Sequence, residues 1–112
     1  MSREPRFLLD DILESIEAIE EFSEGMSEYD LKSSRLKQSA ITREFEIIGE
    51  AVKNLPSQFT EDNPDVPLKE IAGMRDVIIH NYFRVDIDSI WNAIKKDIPV
   101  LKEQISQLMK DR

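Results

Sequence analysis

The chain has 112 residues, 15 Lys and Arg against 23 Asp and Glu, a formal net charge of −8, one histidine and no cysteine. That length makes one domain over residues 1–112 with a real apolar core. Lack of cysteine excludes disulfides, thiolate metal sites and cysteine nucleophiles, and a lone His80 excludes a multi-histidine metal site within one chain. The acidic balance argues against a protein that follows phosphates with a broad basic face.

Residues 5–23 read as an amphipathic helix. Pro5 suits its first turn, Leu8, Ile12, Ile16 and Ile19 recur at helical spacing, and Gly25 can take a left-handed cap. A second helix is expected over about residues 33–54, its buried side marked by Leu36, Ala40, Ile47, Ile48, Ala51, Val52 and Leu55. Gly49 inside it costs about 1 kcal/mol against alanine, and close packing on a neighbouring helix is the reason to accept that cost.

Pro56, Pro64 and Pro67, with Glu61, Asp62, Asn63 and Asp65 among them, make residues 56–67 read as the longest loop. A third helix starts near Leu68 and runs through Arg75 towards Asn81. Asp86 or Asp88 caps a fourth. From there Ile87, Trp91, Ile94, Ile98, Leu101, Ile105 and Leu108 step by four and three, a helix seam interrupted by Pro99. Asp97 can restart a helix with Pro99 in its first turn, or one helix can continue with a kink. No segment alternates like a strand. The expectation is an all-α, four- or five-helix antiparallel up-and-down bundle.

No apolar run approaches a membrane span, and Met1–Arg6 followed by Asp10-Asp11 leaves no room for an apolar signal region. A cytoplasmic protein with no membrane association is expected. The charge is uneven. Asp10, Asp11, Glu14, Glu17, Glu20, Glu21, Glu24, Glu28 and Asp30 fall between Phe7 and Leu31 with no base among them, whereas residues 32–43 hold Lys32, Arg35, Lys37 and Arg43 and no acid. The acidity is thus one helix face and its exit. It leaves room for a short basic cleft around Arg75, and it offers a surface to a basic partner or simply to water.

Residues 73–83 concentrate the chemistry: Arg75, Asp76, the single His80, Asn81 and Tyr82. On a helix Asp76 and His80, four apart, share a face, so Asp76 can fix the imidazole tautomer and favour its charged form. Arg75 and Tyr82, seven apart, share another. Arg75 and His80 lie about 140° apart around a regular helix, so a helix end, a wrapped arginine or a neighbouring chain is needed to bring them together. An Arg, a His and a Tyr without metal ligands suit cleavage of RNA by its own 2′-hydroxyl. Histidine takes the proton and arginine balances charge on the phosphoryl oxygens. The acid for the leaving oxygen is then a water, Tyr82 or His80 of a second subunit in a two-fold dimer. The plainer alternative makes His80 a helix cap, Arg75 an ion-pair member and Tyr82 a packing residue.

Arg75, His80 and Tyr82 form the pattern R-x4-H-x-Y. Around it stand Phe45-Glu46-Ile47-Ile48-Gly49-Glu50-Ala51, Gly73-Met74-Arg75-Asp76, Val85-Asp86, Trp91 and Asp97-Ile98-Pro99. In these respects the sequence resembles the HepT-type toxins of the HEPN superfamily, the toxin half of HEPN–MNT toxin–antitoxin pairs, from about Phe7 to Leu108. The resemblance implies a small helical bundle that dimerises, alone or within a larger hetero-oligomer. It implies metal-independent endoribonuclease activity without a cofactor, with Arg75 and His80 as the catalytic pair and Asp76 and Asn81 in support. It implies a minimal nucleotidyltransferase antitoxin as partner, able to transfer AMP to Tyr82. A bulky, charged AMP beside the pair would exclude RNA phosphate. Glu46 or Glu50 can hold Arg75, or face solvent. A second reading from the same resemblance is a non-catalytic HEPN module that binds and regulates a nucleotidyltransferase.

Overall fold

The computed structural model describes residues 4–78 and 86–110, with side chains described up to residue 73 and again from residue 86. Every regular element among them is helical. Helix α1 (Pro5–Phe22) begins with proline at its first position, where the missing N–H costs nothing. Leu8, Leu9, Ile12, Ile16 and Ile19 are buried along one stripe and the acids take the other side. The helix stops where Ser23 Oγ bonds the Ile19 carbonyl at 2.7 Å and Gly25 turns the chain at φ 70°.

A short helix, α2 (Glu28–Lys32), follows where the sequence reading had none. Its cause is a reciprocal cap. The Ser27 N–H donates to Asp30 Oδ2 at 2.9 Å, and the Asp30 N–H donates to Ser27 Oγ at 3.1 Å. The Ser27 backbone N–H, and after it the Ser27 hydroxyl, bond the Asp30 carboxyl and hold it below the ordinary carboxylate value. Leu31 fills the core beneath.

Helix α3 (Arg35–Lys53) is capped by Ser34, whose Oγ accepts the Lys37 N–H at 3.1 Å. Its buried line runs Ile41, Thr42, Phe45, Ile48, Gly49, Ala51 and Val52, then Leu55 beyond the helix end. The expected line differs in its first half. Leu36 is 78% exposed, because it lies in the first turn on the outer side of the helix. Ala40 and Ile47 are half-buried, and Ile41 and Phe45 take the interior places.

Residues 56–67 are not wholly a loop. Helix α4 (Ser57–Asp62) starts directly after Pro56 and drives Phe59 into the core. Asn63 Nδ2 then closes the turn on the Phe59 carbonyl at 2.8 Å. Helix α5 (Leu68–Ile78) starts after Pro67. Helix α6 (Ile87–Asn92) is capped by Asp86 rather than Asp88. Asp86 Oδ1 accepts from the Ser89 N–H at 3.1 Å and Oδ2 from the Ser89 hydroxyl at 2.9 Å.

At Pro99 the chain continues as one helix. A π-turn (Ala93–Asp97) joins α6 to α7 (Ile98–Lys110), with the Ile98 N–H bonded to the Ala93 carbonyl five residues back. A proline cannot donate to the turn before it and its ring crowds that turn. Widening the helix just ahead of Pro99 relieves the crowding. Asp97 therefore lies inside a helix and starts none.

The long helices α1, α3, α5 and α6–α7 form the bundle, with α1 against α3 and α7, and α3 against α5. The short α2 sits against α3 and α6. The core is almost wholly aliphatic around Phe45, as expected for an all-α bundle.

Candidate functional site

Helix α5 carries the start of the reactive motif, and its position follows from its first turns. Asn63, Val66 and Pro67 fold the approach: the Val66 N–H bonds the Asn63 carbonyl at 3.1 Å, and the Ile71 N–H bonds the Pro67 carbonyl at 3.0 Å. Leu68 and Ile71 are buried, which orients the helix against α3. Arg75 lies four residues after Ile71 and seven after Leu68, so it holds the same register position on α5 as these two core residues. Asp76 follows on the helix. The Arg75 and Asp76 side chains, and His80, Asn81 and Tyr82 altogether, lie outside the described residues.

On either side of that segment the described residues are α5 as far as Ile78 and the Asp86 cap of α6, a helix that packs against α5. On α3, Gly49 is buried, Glu46 half-buried and Glu50 exposed. On α6, Trp91 is half-buried, and Lys95 of the π-turn places its ammonium 4.8 Å from the centre of the Trp91 ring, a cation–π contact.

The sequence reading missed a cleft of about 540 Å³ where the end of α3, the helix α4 and the start of α5 meet. Val52, Leu55 and Leu68 form its apolar wall, and Lys53, Lys69 and Thr60 bring polar groups to it. Nothing in the spacing of Lys53 and Lys69, sixteen residues apart on different helices, announces that they converge. Placing α4 inside the proline-rich stretch would have been the needed clue.

The family profile described as ribonuclease HepT-like matches residues 12–108, which span α1 to α7 and the whole Arg75–Tyr82 stretch. The chain belongs to the HepT-like ribonuclease family. A Methanocaldococcus jannaschii protein, named as a gamma-glutamylcyclotransferase joined to a candidate RNase, is 47% identical over 99% of this chain, which spans 50% of that protein's length. A Thermococcus cleftensis protein named "Probable ribonuclease HepT" is 44% identical over 98% of this chain and 100% of its own. A candidate RNase of Caldanaerobacter subterraneus subsp. tengcongensis is 46% identical over 94% of each. No solved structure matches. Among the described residues of this HepT-like chain, no helix is long and apolar enough to cross a membrane.

Proposed function

We propose that this HepT-like chain is a metal-independent endoribonuclease with Arg75 and His80 as its catalytic pair. The observation that carries the reading is the family match across residues 12–108, which brackets the Arg75–His80–Tyr82 spacing. A neutral His80 takes the proton of the RNA 2′-hydroxyl as that oxygen bonds to phosphorus. The bond from phosphorus to the 5′-oxygen breaks, and that oxygen gains a proton from water, Tyr82 or the other His80 of a dimer. The products are a 2′,3′-cyclic phosphate and a 5′-hydroxyl. Arg75 stabilises the charge that gathers on the phosphoryl oxygens, and Asp76 and Asn81 orient the pair.

In this reading the chain is a cytoplasmic toxin that acts as a homodimer. Its antitoxin is a minimal nucleotidyltransferase. Transfer of AMP from ATP to the Tyr82 hydroxyl, with release of pyrophosphate, silences it by placing a bulky anion where RNA phosphate must sit.

The test is cleavage of single-stranded RNA by purified protein in EDTA. Wild type should leave cyclic-phosphate ends, and His80→Ala and Arg75→Ala should each lose at least about a hundredfold in rate, the usual size of an acid–base or charge-stabilising contribution. Equal cleavage by wild type and His80→Ala overturns the assignment. No cleavage at all, with a tight nucleotidyltransferase complex, leaves the non-catalytic binding module.

A further inference from the structure

We propose that the cleft between α3, α4 and α5 holds backbone phosphates of RNA flanking the cleaved bond, through Lys53 and Lys69. The proposal rests on the ribonuclease reading and extends it from the reacting atoms to the substrate's path. Lys53 ends α3 and Lys69 is the second residue of α5, so two separate helices each bring a lysine to the lining of one cleft.

Three other lysines of this acidic chain are engaged, while Lys96 and Lys110, like the cleft pair, are exposed and, among the described residues, are unpaired but line no cleft with a second lysine. Lys32 pairs with Glu28 and Asp88, Lys102 with Glu20, and Lys37 donates to the Phe22 carbonyl. Lys53 and Lys69 are exposed and have no ion pair among the described residues. One carboxylate, Glu61, lines the same cleft, so its lining carries a positive excess within a chain of net charge −8. Thr60 adds a hydroxyl donor.

Lys69 precedes Arg75 by six residues, about 9 Å along α5 and about 120° around it, so a strand held at the cleft reaches the catalytic segment by crossing α5 obliquely. Both lysines lie open to solvent. A pocket for a free nucleotide buries about 70–90% of its ligand, whereas a passing strand needs only its phosphates held.

The experiment measures a fluorescent single-stranded RNA oligonucleotide binding to the full chain carrying His80→Ala, with and without Lys53→Ala/Lys69→Ala, across a salt series. The lysine pair should flatten the plot of log affinity against log salt by about 1.4, two phosphates at about 0.7 each. With His80 intact, the double variant should raise KM for a long oligonucleotide, leave kcat unchanged, and leave cleavage of a dinucleotide unchanged. An unchanged slope, or displacement of a nucleotide but not RNA by the substitutions, overturns the proposal. A wild-type chain that binds RNA through the lysines but never cleaves it removes the ribonuclease reading and keeps the cleft. Cleavage with lysine-independent binding does the reverse.

Discussion

Asp86 accepts two hydrogen bonds from Ser89, one from its backbone N–H at 3.1 Å and one from its hydroxyl at 2.9 Å. The pair starts α6 eleven residues after Arg75 and fixes the first turn of that helix. Asp86→Ala should lower unfolding stability by about 1 kcal/mol, and Asp86→Asn by much less, because asparagine caps nearly as well. Urea denaturation of the two variants checks this.

Thr42 is buried on α3, and its hydroxyl has no hydrogen-bond partner among the described residues. A hydroxyl removed from water without a partner costs stability, and valine keeps the shape without the cost. Thr42→Val is expected to stabilise the bundle by about 1 kcal/mol. A drop in thermal midpoint would show that Thr42 finds a partner in solution.

Phe45→Ala should cost about 3–5 kcal/mol, because Phe45 is only 2% exposed at the centre of the core. Leu36→Ala, at a site 78% exposed, should stay within about 0.5 kcal/mol. The contrast shows how far periodicity alone reaches. The aliphatic stripe of α1 was legible because Ile12, Ile16 and Ile19 face the core over the full length of the helix. On α3 the same rule misplaced Leu36, because apolar residues at a helix start can sit outside the reach of the neighbouring helices. The short α2 carried its signal openly in Ser27 and Asp30, three apart, whereas α4 was hidden by prolines that flank a helix as readily as a loop. Of the site, the spacing of Arg75, His80 and Tyr82 was readable. The register that Arg75 shares with Leu68 and Ile71 needs the packing of α5 on α3.

Asp30 is held below its ordinary value by Ser27, so it binds its proton less readily folded than unfolded. The sign follows: its contribution to stability is present above the ordinary carboxylate value, near 3.8, and is lost as pH falls through the lower folded value. Carboxyl NMR should place the Asp30 midpoint below that of an exposed aspartate, and Ser27→Ala should raise it only part of the way, because the larger cause, the backbone N–H of residue 27, stays in place.

Under the proposed function, Tyr82→Phe should separate cleavage from neutralisation. If the hydroxyl serves only as AMP acceptor, the variant should cleave RNA at a rate within a few-fold of wild type and escape modification when co-expressed with the nucleotidyltransferase. Intact-mass measurement reads the modification, and an RNA assay reads the rate. A variant still carrying AMP would move the acceptor elsewhere.

The π-turn at Ala93–Asp97 acts as a phase coupler within one continuous rod. Helix α6 aims its apolar side at α2 and α5, while α7 aims its own at α1. The wide turn sets the rotation between the two. Each residue advances a helix by about 100°, so deleting one residue there would swing Ile98, Leu101, Ile105 and Leu108 away from α1 or Ile90 away from its neighbours. A stretch with no loop is therefore where this chain should tolerate length change least. Its alignment with its relatives should run without gaps through Pro99, while the turn at 63–67 absorbs them.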